Sequence, residues 1–106
     1  MVVRGEVWLA ALDPTMGREI QKIRPCLVIS PPEMHDYLRT VIIVPMTTGN
    51  TPAPYRVPVT FRGKKGLILL DQIRTLDKTR LQKKLGGVSG KTLATTLNVL
   101  QDIFAK

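Results

Sequence analysis

Cysteine is nearly absent from this 106-residue chain, with Cys26 the one example. An intramolecular disulfide is therefore excluded, and the apolar run CLVIS marks Cys26 as a small buried side chain rather than a nucleophile. Histidine is equally scarce, since His35 stands alone. That excludes a two-histidine acid–base pair and, with a single cysteine, the usual zinc ligand sets. His35 lies beside Pro32, Glu33 and Asp36 and reads as a surface loop residue. No glycine loop ending in Lys-Ser/Thr and no dinucleotide fingerprint occurs, so neither a cofactor nor a metal is expected. Apolar runs stay far short of the roughly 20 residues that cross a bilayer. The opening MVVRGEVW carries Arg4 and Glu6 where a signal peptide would be apolar. A cytoplasmic, reduced protein with no membrane partner is expected. Acidic residues are also few, eight against sixteen Lys and Arg, for a net charge of +8. Such an excess favours polyanions, nucleic acid above all.

What is present reads as one domain over residues 1–106, rich in short strands. Val2 to Ala11 alternates and predicts a first strand, broken by Asp13-Pro14 and Gly17. Arg24-Pro25 leads into the continuous run Cys26-Leu27-Val28-Ile29, expected of a buried strand, and Ser30-Pro31-Pro32 stops it. Thr40 to Met46 is the third and strongest strand, with Pro45 predicting its end or an edge. A proline- and glycine-rich loop over Thr47 to Pro58 precedes a strand around Arg56 to Phe61. Gly63 to Gly66 reads as a tight connection, Leu67 to Leu70 as a buried strand, and Asp71 to Leu76 as its alternating continuation. Asp77 suits a cap on a short helical turn, before an extended segment near Lys83 to Leu85. From Ser89 onward Leu93, Leu97, Leu100 and Phe104 recur at helical spacing, joined by Ile103, and their stripe is read as core. Many short strands and one terminal helix predict a small, strongly curved antiparallel sheet or barrel.

The polar stretch LDPTMGREIQKIRP, from Leu12 to Pro25, holds Glu19 and Arg24 five residues apart with Arg18 and Lys22 alongside. A carboxylate beside guanidinium and ammonium groups suits phosphodiester chemistry, or forms no more than a surface ion pair. RNA can be cut without a metal because its 2′-hydroxyl is an internal nucleophile. Glu19 would take that proton, Arg24 would contact the phosphate, and Thr47 or Thr48 would donate to it, unless the threonines only cap a turn. From Arg62 to Lys84 the chain carries eight Lys and Arg, Arg74 among them, against Asp71 and Asp77 alone, an expected phosphate-tracking surface. Aromatics are too few for a stacking platform. Trp8 and Phe104 read as core, while Tyr37 and Tyr55 lie in loops where they could stack on a base or simply pack.

Three ordered blocks, RGEVWLAALDPTMGREIQKIRPCLVIS, VPMTTGN and GLILLDQIRTLDKTRL, resemble the MazF/PemK (Kid) family of toxin endoribonucleases across essentially the whole chain. The resemblance implies a mainly β, SH3-like barrel with a C-terminal amphipathic helix, a homodimer, and sequence-specific, metal-independent cleavage of single-stranded RNA. The expected products are a 2′,3′-cyclic phosphate and a 5′-hydroxyl. It also implies an acidic MazE-like antitoxin as partner, with operator DNA bound only through the antitoxin complex. Carried over by position, the catalytic set is Glu19, Arg24 and Thr48, with Arg18, Lys22, Thr47, Asp71 and Arg74 against substrate. The family's Gly-x-Glu-Gln-x-Gly-x-Arg-Pro loop is matched here except that Ile20 replaces Gln and Lys22 the second Gly. A His/Arg/Asp arrangement of some plasmid-borne relatives is reduced to Asp71, either structural or substrate-orienting. A related toxin of the same fold that poisons DNA gyrase without cutting RNA is the alternative.

Overall fold

A computed structural model describes residues 1–13, 17, 22–49 and 51–106. Seven strands form a single antiparallel system: β1 (Glu6–Ala11), β2 (Ile23–Val28), β3 (Thr40–Thr47), β4 (Arg56–Phe61), β5 (Lys64–Leu69), β6 (Arg74–Asp77) and β7 (Leu81–Gly87). Two helices complete the chain, α1 (Pro32–Tyr37) and α2 (Gly90–Phe104). The sheet order is β4-β5-β3-β2-β1-β7, with β6 also on β3. The eight-residue β3 is the spine. One edge pairs with β2, while the other is shared, Thr40 to Ile43 with β6 and Met46 to Thr47 with β5. A 3₁₀ turn at Leu70–Gln72 moves the chain from β5 to β6, so the expected continuation through Leu76 is interrupted there. Pro45 does not end β3. It lies between the stretches claimed by β6 and β5, where the partner on that edge changes and a missing N–H is tolerated.

The unbroken apolar runs of β2 and β3 have a direct cause, since both strands are buried on both faces. Val7, Leu27, Val44, Met46, Val57, Ile68, Leu70 and Leu100 form one core, against which Leu97 of α2 packs. Ala10, Leu12, Cys26, Val28, Val41, Ile43 and Leu76 form a second core on the opposite face, with Trp8 against it. Burial pushes the Cys26 thiol up to about 12, so it stays protonated and inert at neutral pH. Ser89 caps α2 by accepting from Thr92 N–H at 3.1 Å, and Asp77 accepts from Thr79 N–H at 2.9 Å. Both caps are as the sequence predicts.

One further expectation is extended and two are corrected. Pro31-Pro32 ends β2 but also opens α1, because proline at the first helical position lacks only an N–H that would be unpaired anyway. His35 on that helix is buried: its Nδ1 donates to Val2 O at 2.8 Å and its Nε2 lies 2.6 Å from Ser30 Oγ. Phe104 is 70% exposed and Ile103 41% exposed, so neither is core, for α2 runs past the face it covers after Leu100.

Candidate active site

β2 and β3 place Arg24 and Pro25 beside Met46, Thr47 and Thr48 along one wall of a cleft of about 350 Å³. Val59 and Phe61 of β4, Arg62 of the following turn, Lys64 and Gly66 of β5, and Leu85 of β7 supply the rest of its lining. β3 stops at Thr47 and the chain bends through Thr48 and Gly49, which leaves the exposed Thr48 at the rim of a rigid element. The close approach of β5 at this point requires glycine. A Cβ on Gly66 would lie 2.4 Å from Thr47 O, far inside contact distance, and 3.2 Å from Thr47 C, with Thr48 Cα in ordinary contact at 3.6 Å.

The opposite wall is the β4–β5 hairpin, whose two-residue turn has positive φ at Arg62 (51°) and Gly63 (78°). That backbone matches the right-handed twist of the flanking strands. The Arg62 guanidinium donates to Leu85 O and stands 5.9 Å from the Phe61 ring centroid. The Phe61 ring lies against Gly86. Side chains thus bridge the seam between the hairpin and edge strand β7, which share no ladder.

Of the residues expected at the site, Arg24, Thr47 and Thr48 come together, although distant in sequence. Glu19 and Arg18 lie outside the described residues. Lys22 sits at the base of the same loop with φ 66°, its N–H donating to Asp13 Oδ1 at 3.0 Å and its carbonyl accepting from Leu12 N–H at 2.9 Å. Asp71 and Arg74 do not line the cleft. Asp71 accepts two hydrogen bonds from Arg56, at 3.1 and 3.0 Å, and Arg56 also donates to Thr51 O. Arg74 donates to Leu12 O at 3.1 Å.

Several of the eight cations expected to track phosphate have partners within the protein. Arg80 donates to Ala11 O and Asp13 O, Lys78 to His35 O, and Lys84 pairs with Glu6 at 2.6 Å. Burial works to raise the Glu6 pKa, but hydrogen bonds from Lys84, Val3 N–H and Trp8 together with the Lys84 charge bring it below the ordinary value. Arg62 and Lys64 alone of the eight reach the cleft. Both belong to the stretch expected to track phosphate, but neither is expected beside Arg24 and Thr48, nor is Gly66. The available signal was Gly63 between two strand-like runs, where a turn residue free to take positive φ is expected. Among the described residues no three His, Cys, Asp or Glu side chains gather as a metal site requires.

The family model described as PemK-like, MazF-like toxin of type II toxin-antitoxin system matches residues 3–104. The sequence is 38% identical over 106 residues to "Endoribonuclease MazF" of Staphylococcus epidermidis, with 94% of this chain and 88% of that protein covered. MazF from Deinococcus radiodurans has a similar solved structure, at a TM-score of 0.87 and 24% identity, covering 99% of this chain and 97% of that one. A MazE–MazF structure from the same organism gives a TM-score of 0.75 at 26% identity, covering 99% and 97%. The curved antiparallel sheet with a C-terminal helix is therefore the fold of these toxins.

Proposed function

The chain belongs to the PemK-like, MazF-like toxin family of type II toxin–antitoxin systems, and on that basis we propose that it is an endoribonuclease. Its substrate is single-stranded RNA, cut at specific sequences without a metal ion. The observation that carries this reading is the meeting of Arg24 with Thr47 and Thr48 in one cationic cleft. A relative 38% identical is named an endoribonuclease, which favours cutting over the gyrase-binding alternative.

In the proposed reaction the 2′-oxygen attacks the adjacent phosphorus while the P–O5′ bond breaks. Glu19 accepts the 2′-hydroxyl proton, and the leaving 5′-oxygen takes up a proton. The Arg24 guanidinium faces the charge that grows on the phosphate oxygens, and the Thr48 hydroxyl donates one further hydrogen bond. The products are a 2′,3′-cyclic phosphate and a 5′-hydroxyl. Arg18 and Lys22 flank the substrate from the loop, with Thr47 at the end of β3. Asp71 and Arg74 act instead by holding the surrounding chain.

The protein works in the cytoplasm as a homodimer, one domain per chain, neutralised by an acidic MazE-like antitoxin drawn to its +8 charge. Solved MazE–MazF structures of similar fold support that pairing. Operator DNA is reached only through the antitoxin complex. Purified protein should cut a long single-stranded RNA in EDTA, with ends mapped by primer extension. No cleavage across varied sequences would sink the nuclease reading.

A further inference from the structure

Lys64 opens β5 directly after the Arg62-Gly63 turn and lines the cleft. Its ammonium has no ion-pair or hydrogen-bond partner among the described residues. We propose that Lys64 forms a phosphate subsite beside the cutting position, holding a flanking phosphodiester of the RNA. The proposal rests on the endoribonuclease reading above.

Three neighbouring cations are otherwise engaged. Arg62 donates to Leu85 O, Arg56 pairs with Asp71, and Lys84 pairs with Glu6. The hairpin bearing Lys64 is itself held to β7, by Arg62 on the Leu85 carbonyl and by Phe61 against Gly86, and to β3 by the ladder at Met46 and Thr47. Register supplies the spacing. Thr47 pairs with Leu67, which sets Thr48 level with Gly66. Lys64 lies two residues further along the same face of β5, its Cα roughly 7 Å from that of Gly66. That distance is of the order of the step between neighbouring phosphates in an extended strand. Arg24 and Thr48 would face the scissile phosphate and Lys64 the next. A flexible ammonium, with no fork to satisfy, suits a contact that positions a chain without reading a base. The apolar lining of Met46, Val59, Phe61 and Leu85 strengthens that contact relative to open solvent.

RNA carrying a single neutral methylphosphonate at each position around the cut site tests the subsite. One flanking position should lower wild-type kcat/KM about tenfold, the loss of one charge-assisted contact. Lys64→Gln should lower it by the same factor, with no further loss when the two changes are combined. Its log–log salt slope should become shallower by about 0.7, the value for one contact to a single strand. Lys64→Arg should retain the wild-type pattern. Lys65→Gln removes the same charge from the opposite face of β5 and should leave the methylphosphonate pattern unchanged.

A Lys64→Gln variant as sensitive as wild type to the flanking methylphosphonate overturns the subsite while the nuclease stands. So does a Lys65→Gln variant that mimics Lys64→Gln, since the effect is then general charge. Loss of inhibition by an acidic antitoxin peptide, with RNA cutting unchanged, would assign Lys64 to the protein partner and equally overturn it. A wild-type protein that cuts no RNA removes the nuclease reading and the subsite together.

Discussion

Arg74 and Arg80 differ from Arg24 and Lys64 in what their charged ends meet. The first pair donates to Leu12 O, Ala11 O and Asp13 O, where β1 leaves the sheet and its carbonyls lose their ladder partners. The second pair lines the cleft, and neither has a hydrogen-bond partner for its side chain among the described residues. One set completes the backbone's hydrogen bonding, whereas the other leaves positive charge exposed to a ligand. Charge count therefore says little about binding until each cation's partner is known, and substitutions in the two sets should fail in different ways.

Arg24→Ala should separate them most sharply. If Arg24 meets the growing phosphate charge, kcat/KM for RNA falls by about 10²–10³, or ~3–4 kcal/mol. Thermal stability should hardly move, as expected for an exposed side chain without a described partner. A folded, fully active variant would show that the site is misassigned.

Gly66→Ala inverts that pattern. Its new methyl would press on Thr47 O from 2.4 Å, and overpacking against backbone costs about 2–3 kcal/mol. A denaturant midpoint unchanged from wild type would mean that β3 and β5 separate freely. Arg74→Ala should cost about 1–2 kcal/mol through the unpaired Leu12 carbonyl, read in the same titration. A variant of wild-type stability would move Arg74 into the uncommitted set.

Lys22→Gly is expected to stabilise. Left-handed backbone costs a non-glycine residue about 1–2 kcal/mol, and glycine returns roughly 0.4–1 of that through the unfolded chain. A net gain of about 0.5–1 kcal/mol follows, visible as a raised midpoint. The resemblance to a family loop with glycine here acquires a physical reason, because φ at Lys22 is 66°.

The smallest effect concerns Glu6 and Lys84. The folded pKa of Glu6 is lowered, so its contribution is present above the ordinary value of 4.5 and is lost as pH falls through the lower folded value. Glu6→Gln should flatten that part of the acid-unfolding profile, and an unaltered profile would remove Glu6 from it.

The strands of this fold were legible because burial on two faces writes itself as TVIIV and CLVI, and both helical caps because Asp77 and Ser89 act within three residues. α1 was not legible, since Pro31-Pro32 reads equally as a strand stop and a helix start. Phe104 keeps the helical period while lying beyond the surface α2 packs on, so periodicity overstates its burial. The burial of His35 depends on Val2, 33 residues away.

Composition and local pattern by themselves determined the β-rich class, the terminal helix, the basic charge and the candidacy of Arg24 and Thr48. Tertiary structure alone decided which cations remain available. Arg74 meets its carbonyl across 62 residues and Arg80 across 69, while Lys64 is exposed to the cleft because a two-residue turn and the Leu85 carbonyl fix its strand. Residue type sets what a side chain can bond, but its partner is set by contacts made far along the chain.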